Sequence, residues 1–276
     1  MFKKAFYLVF VLLMAVGIQS AVSQITISPI MLFMDQQQRF GTFMVMNGSQ
    51  QAQEVSIEFP FGYPVTDKQG NIQMVYNDST VAQKWGISDA IKGFPKNFTL
   101  QPGQRQVVRL TVRPRDFQDG MYWSRIRTTS TPVSTPVGEE EEDEISTQIT
   151  YKFEQVTTVF YKHGEVNTGI EINNITTSNS EGEIEVAADL SRTGNAPFLG
   201  SIQLTIKDQQ GNTIVEKSIS TSIYFDYRQV FNIQRDQLGT GEYTAELRII
   251  SQRGDISNSD IVQMEPVTET TNIALR

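Results

Sequence analysis

From Gln24 onward the chain is patterned with a period of two. Val55, Ile57 and Phe59 alternate with Glu54, Ser56 and Glu58, the signature of a strand with one face inward. Leu204 and Ile206 alternate before a turn cluster at Asp208-Gln209-Gln210-Gly211-Asn212, and Ile214 follows it. Tyr243, Ala245, Leu247 and Ile249 repeat the pattern after Gly239-Thr240-Gly241. Phe43 to Met46 is apolar on both sides and predicts a strand inside a sandwich. Asp67-Lys68-Gln69-Gly70 is a further turn cluster between β-like runs. The best helical candidate is one or two turns within Val81 to Lys92. Many short strands separated by turn signals predict an all-β fold built from antiparallel sandwiches.

The first 23 residues have another character. Lys3 and Lys4 precede an uncharged, mostly apolar run from Ala5 to Val16, and Ala21-Val22-Ser23 places small residues before Gln24. That is the layout of a cleaved secretory signal, with a core short for a bilayer span. The alternative is an uncleaved N-terminal anchor. After cleavage no stable membrane insertion is expected, and the exported protein is expected in the periplasm.

Composition narrows the chemistry. The 276 residues include no cysteine and one histidine, His163. Thiol nucleophiles, disulfides and zinc–thiolate sites are therefore excluded, as are sites with several histidines from one chain. The net charge of −8 leaves no basic footprint for nucleic acid. No phosphate-cradling glycine loop, nucleophile elbow or His-Glu-x-x-His motif occurs. Trp85 and Trp123 are expected in the core, and catalysis, cofactors and a metal site are not expected.

Ile145 to Tyr161 reads as one strand, with Ile145, Thr147, Ile149, Tyr151 and Phe153 on one face. At ~3.3 Å per residue it would exceed about 50 Å, far beyond the usual strand. The acidic run Glu139 to Glu144 precedes it and reads as a solvated loop that discourages edge-to-edge pairing. Domain boundaries are open between Thr128–Ser146, rich in Ser, Thr and Pro, and His163–Gly169, where the β run ends.

The mature chain resembles the PapD-like periplasmic chaperones of pilus assembly. The likeness begins with Ile25-Thr26-Ile27-Ser28-Pro29 and Phe43 to Ser49. It continues through Phe98-Thr99-Leu100-Gln101-Pro102-Gly103, Asp119 to Ile126 and Val159-Phe160-Tyr161-Lys162. Arg192 to Asn195 and Gly241-Glu242-Tyr243 fit more loosely. The resemblance implies two immunoglobulin-like domains in tandem, residues 24–163 and 164–276, behind a signal peptide at 1–23. It also implies that Ile149, Tyr151 and Phe153, extended by Thr147 and Ile145, form a strand donated to a client that lacks its own final strand. Ordinary sandwich core is the other reading of the same alternation.

The family anchors its client's terminal carboxylate with a basic pair. Here Met31 and Thr158 occupy the corresponding positions, and neither can supply a charge-assisted hydrogen bond. Arg125, Arg127 and Lys152 are conceivable substitutes whose preferred reading is surface solubility. The expected function is a chaperone that holds secreted β-rich subunits by strand addition, with an outer-membrane assembly platform as a possible further partner. The alternative is a structural or adhesive β-sandwich component of a surface or secretion assembly.

Overall fold

A computed structural model of the chain describes residues 25–133, 151–179 and 182–275. The proposed signal, the acidic run and Ile145, Thr147 and Ile149 lie outside the described residues.

The first half contains β1 (Ile25–Ser28), β2 (Met31–Asp35), β3 (Phe40–Asn47), β4 (Gln53–Glu58), β5 (Tyr63–Thr66) and β6 (Ile72–Val75). Then come α1 (Ser79–Trp85), β7 (Ile91–Phe94), β8 (Asn97–Leu100), β9 (Arg105–Val112), β10 (Gly120–Pro132) and β11 (Phe153–His163). Two sheets, ordered β1-β3-β9-β7 and β2-β11-β10-β4-β8, enclose one apolar core. Phe43, Val45, Ile57, Val108, Leu110, Tyr122, Ile126, Val159 and Tyr161 meet there. Pro29 lies between β1 and β2, where the chain leaves one sheet and joins the other. A residue without an N–H suits that break in the ladder.

The second half contains β12 (Thr168–Asn179), β13 (Glu183–Gly194), β14 (Phe198–Lys207), β15 (Thr213–Ile223), β16 (Asp226–Gln234), β17 (Gly241–Ile250) and β18 (Val267–Leu275). Its sheets are ordered β12-β13-β16 and β15-β14-β17-β18, around a second core that includes Ile184, Leu190, Phe198, Leu204, Phe231 and Leu247. The architecture is mostly strand and consistent with immunoglobulin-like sandwiches. A local signature of that fold occurs twice. Tyr122 Oη donates to the Gln118 carbonyl at 3.0 Å and accepts from the Gln118 N–H at 3.0 Å, while Tyr243 Oη donates to the Gly239 carbonyl at 3.2 Å. Each tyrosine is the third residue of its strand and bonds four residues back, as in a tyrosine corner.

The two predicted turn clusters close hairpins in the same way. Asp67 Oδ1 accepts from the N–H groups of Gln69 and Asn71, and Asp208 Oδ1 from those of Gln210 and Asn212. Gly70 and Gly211 supply the left-handed residue, at φ 79° and 83°.

Two expectations are corrected. The helix runs Ser79–Trp85 rather than within Val81–Lys92, because Asp78 caps it earlier and Ile91 already belongs to β7. Phe43 and Val45 are buried, but Met44 and Met46 are only half-buried on the outer face. β3 therefore buries one side, since no further layer covers that sheet among the described residues.

A third apolar cluster joins the halves. Trp123 and Phe160 of the first half meet Tyr224, Leu199 and Ile261 of the second. Trp123 lies 4.8 Å, edge-on, from Tyr224, and its indole N–H donates to the Gly62 carbonyl at 3.0 Å. The tip of the β5–β6 hairpin also reaches across: the Arg228 N–H donates to Thr66 Oγ1 at 2.6 Å.

Candidate functional site

β11 pairs with β10 along its whole length, from Gly120 opposite His163 to Ser130 opposite Phe153. On its other side β11 is covered only by β2, in parallel and only from Thr158 to Lys162. From Phe153 to Thr157 the strand therefore has a ladder partner on one side alone among the described residues. Such a segment presents alternating unpaired N–H and C=O groups, the template for adding a strand. The Gln155 side chain donates to the Ile25 carbonyl at 2.8 Å, which places this free edge beside β1 and the other sheet.

Side-chain parity along β11 sets what the edge displays. Val159 and Tyr161 enter the first core, whereas Phe160 turns to the cluster between the sandwiches. Phe153 continues the parity of Val159 but lies beyond the end of the core, 40% exposed. Tyr151 stands just ahead of the strand, 59% exposed, its ring 6.4 Å from that of Phe153. The strand begins at Phe153, so Tyr151 is not within it.

The sheet interior changes character toward this end. Toward the Gly120–His163 end it is lined by Tyr122 and Ile126; farther along, Thr128, Ser130, Thr157 and Gln53 are buried instead. Oγ1 of Thr128 and Thr157 and Oε1 of Gln53 have no hydrogen-bond partner among the described residues. Buried polar atoms are usually partnered, so these three atoms mark a polar, incompletely satisfied end of the first core.

Met31 and Thr158 lie directly opposite each other in the β2–β11 ladder, and Thr158 is also opposite Arg125 in the β10–β11 ladder. The three form one row. Arg125 corrects the surface expectation: it is 8% exposed. Its Nε donates to the Gly62 carbonyl at 2.9 Å and Nη1 to Thr158 Oγ1 at 2.5 Å. The guanidinium lies 5.0 Å from the Tyr224 ring centre, and Nη2 has no hydrogen-bond partner among the described residues. Burial pushes the Tyr224 hydroxyl pKa up, with Arg125 opposing that shift. The signal for this position was parity: Arg125 is two residues beyond Trp123, on the same face of β10. Arg127, by contrast, pairs with Glu58 at 3.4 Å and Glu154 at 3.2 Å on a half-exposed surface, and Lys152 is exposed.

Among the described residues, the groups a catalytic site would need do not come together around His163. His163 packs against Phe117 and Tyr161, at 5.6 and 6.2 Å between ring centres, and its Nδ1 has no hydrogen-bond partner among the described residues. Among the described residues no group of three or more His, Cys, Asp or Glu side chains could hold a metal ion, and no helix is long and apolar enough to cross a membrane.

Several solved structures are similar. One is a chaperone–tip adhesion subunit pre-assembly complex from archaic chaperone-usher Csu pili of Acinetobacter baumannii. It shows 11% identity and a TM-score of 0.45, over 89% of this chain and 98% of that chain. Another is a Salmonella enterica SafA pilin in complex with the SafB chaperone, with 11% identity and a TM-score of 0.44, over 91% and 98%. A third is the Pseudomonas aeruginosa CupB2 chaperone, with 9% identity and a TM-score of 0.42, over 91% and 100%. No family model matches the sequence, and no curated protein matches it.

Proposed function

We propose that this chain is a periplasmic chaperone of two tandem immunoglobulin-like domains, meeting near residues 163–164 behind a cleaved signal peptide. It captures β-rich surface or pilus subunits by strand addition. The observation that carries the reading is the start of β11. Five consecutive residues, Phe153 to Thr157, have a ladder partner on one side only among the described residues, and two exposed aromatics stand at their head. A client strand laid along that edge takes up the free backbone groups, which gives sequence-tolerant affinity. Tyr151 and Phe153, extended by Ile149, Thr147 and Ile145, enter the client's open core and give selectivity. The repeated tyrosine corner supports the tandem arrangement. The capture needs no cofactor, because only backbone pairing and apolar burial are involved.

The basic anchor pair is absent at Met31 and Thr158, and the nearby Arg125 is already bonded to Gly62 and Thr158. The client is therefore held along its strand rather than by its terminal carboxylate. Replacing Tyr151 and Phe153 with Asp tests the reading. Proteins that co-purify with the parent from the exported fraction, identified by mass spectrometry, are lost by a variant whose circular dichroism is unchanged. Undiminished capture by the folded variant would reject strand addition; unfolding of the variant would mark both residues as ordinary core.

A further inference from the structure

The outer face of the β1-β3-β9-β7 sheet has no role in strand capture, and its composition departs from the rest of the chain. None of the four strands contains Asp or Glu, although acids outnumber bases by 31 to 23 overall. Three cations, Lys92, Arg105 and Arg109, are exposed there, and none has an ion-pair or hydrogen-bonded side-chain partner among the described residues. Register puts them on one surface: Thr42, Arg109 and Phe94 lie in one row, and Phe40, Thr111 and Lys92 in the next. Phe94 is 78% exposed and Phe40 64%, with Val107 also exposed between Met44 and the sheet's far side.

We propose that this face docks on an anionic lipid surface. Large apolar side chains flanked by unpaired cations, with no carboxylate among them, match the chemistry of an interfacial binder: buried apolar area adds to attraction for anionic headgroups. The other outward polar groups are hydroxyls of Thr and Ser. The face thus lacks the amide and phenol groups that direct hydrogen bonds to one protein partner, whereas phosphates accept from Arg and Lys in many orientations. The chain's net negative charge opposes docking only weakly, because charges more than about 10 Å away are screened. This is attachment to a surface, distinct from insertion, and it stands independently of the chaperone reading.

Vesicle co-sedimentation tests it, comparing phosphatidylglycerol–phosphatidylcholine vesicles with pure phosphatidylcholine. Each cation near an anionic leaflet contributes about fivefold, so the three together favour the anionic vesicles by about a hundredfold. The variant Lys92→Glu/Arg105→Glu/Arg109→Glu loses that preference, and added salt weakens it in the parent. Phe40→Ser/Phe94→Ser weakens binding at unchanged charge. Parent and variants share the same N-terminus, so their difference isolates the face. If the reversed variant fails to fold, Arg105→Gln/Arg109→Gln replaces it, with an expected loss of about thirtyfold. Equal binding by parent and a folded variant overturns the proposal. So does a parent that ignores both vesicles yet binds poly-glutamate through these cations, which would assign the face to an acidic protein segment.

Discussion

Arg125 is a buried cation facing the Tyr224 ring of the second half, and replacing it separates burial from mere proximity. In Arg125→Met the side-chain volume is roughly kept, while two charge-assisted hydrogen bonds, to Gly62 and Thr158, disappear. Bonds of that kind contribute about 1.5–3 kcal/mol each, and the contact with Tyr224 adds about 1 kcal/mol. Against this stands the cost of burying a guanidinium, several kcal/mol, which methionine avoids. The Gly62 carbonyl also keeps its bond from the Trp123 indole, so it is not orphaned. The balance is a loss of about 2 kcal/mol.

Arg125→Lys is expected to be worse, at about 3–4 kcal/mol. Its ammonium remains a charge in the same enclosed place but lacks the planar fork that reaches Gly62 and Thr158 together. Urea unfolding monitored by tryptophan fluorescence reads the order parent, Met, Lys from the midpoints, provided that the slopes are unchanged. A lysine variant as stable as the parent would refute the reasoning, because a solvated site accepts either cation. A methionine variant more stable than the parent would show that desolvation, rather than the hydrogen bonds, dominates there.

Three further outcomes follow from the same geometry. Tyr122→Phe removes both bonds of a buried corner and is expected to cost about 1–2 kcal/mol, whereas Tyr243→Phe, with one exposed bond, costs less than about 1 kcal/mol; thermal melting compares them. The carboxyl pKa values of Asp67 and Asp208 are held low chiefly by the Asn71 and Asn212 side chains, and that of Asp78 chiefly by the Val81 N–H. Their contribution is full above the ordinary value of 3.8 and is lost as pH falls through the lowered folded values. Tyr63 runs the other way. Burial and its bond to Asp78 push its pKa from 10.0 to about 12, so stability falls as pH rises across that interval. Urea midpoints against pH check both, and an Asp67→Asn/Asp208→Asn protein with the parent's acid slope would contradict the first. Finally, removing the last residues of a captured client is expected to change its affinity less than threefold, read by titration; a much larger loss would mean that its carboxylate had displaced Thr158 from Arg125.

Much of the fold was legible because its signals are local. The turn clusters at Asp67 and Asp208 need only a carboxylate, a glycine and an asparagine within five residues, and both formed as read. The tyrosines after Gly120 and Gly241 carry their own hydrogen-bond acceptor four residues upstream. The helix was misjudged because Ile87, Ala90 and Ile91 extend its apolar spacing, yet all three reach the first core from a turn and a strand. β3 was misjudged because Met44 and Met46 read as core while facing outward. Periodicity reports which residues share a side, not which sides another layer covers.

The burial of Arg125 needed information that no local window contains. Its neighbours in sequence, Ser124 and Ile126, belong to the opposite face, and the residue that encloses it, Tyr224, comes from the other sandwich. Alignment by position alone made the row look empty of charge, since Met31 and Thr158 stand where a basic pair was expected. Register changes that reading, because Thr158 has two ladder neighbours and the cation belongs to the second of them. A guanidinium moved one strand inward meets the carbonyl of Gly62 and the ring of Tyr224. It stays in the row, bonded within the first half and facing one ring of the second. The edge at Phe153 to Thr157, open on one side among the described residues, lies farther along the same strand and takes no part in Arg125's hydrogen bonds. β11 is thus divided at Thr158: its later part reaches the second half through Phe160, and its earlier part keeps one ladder side open among the described residues.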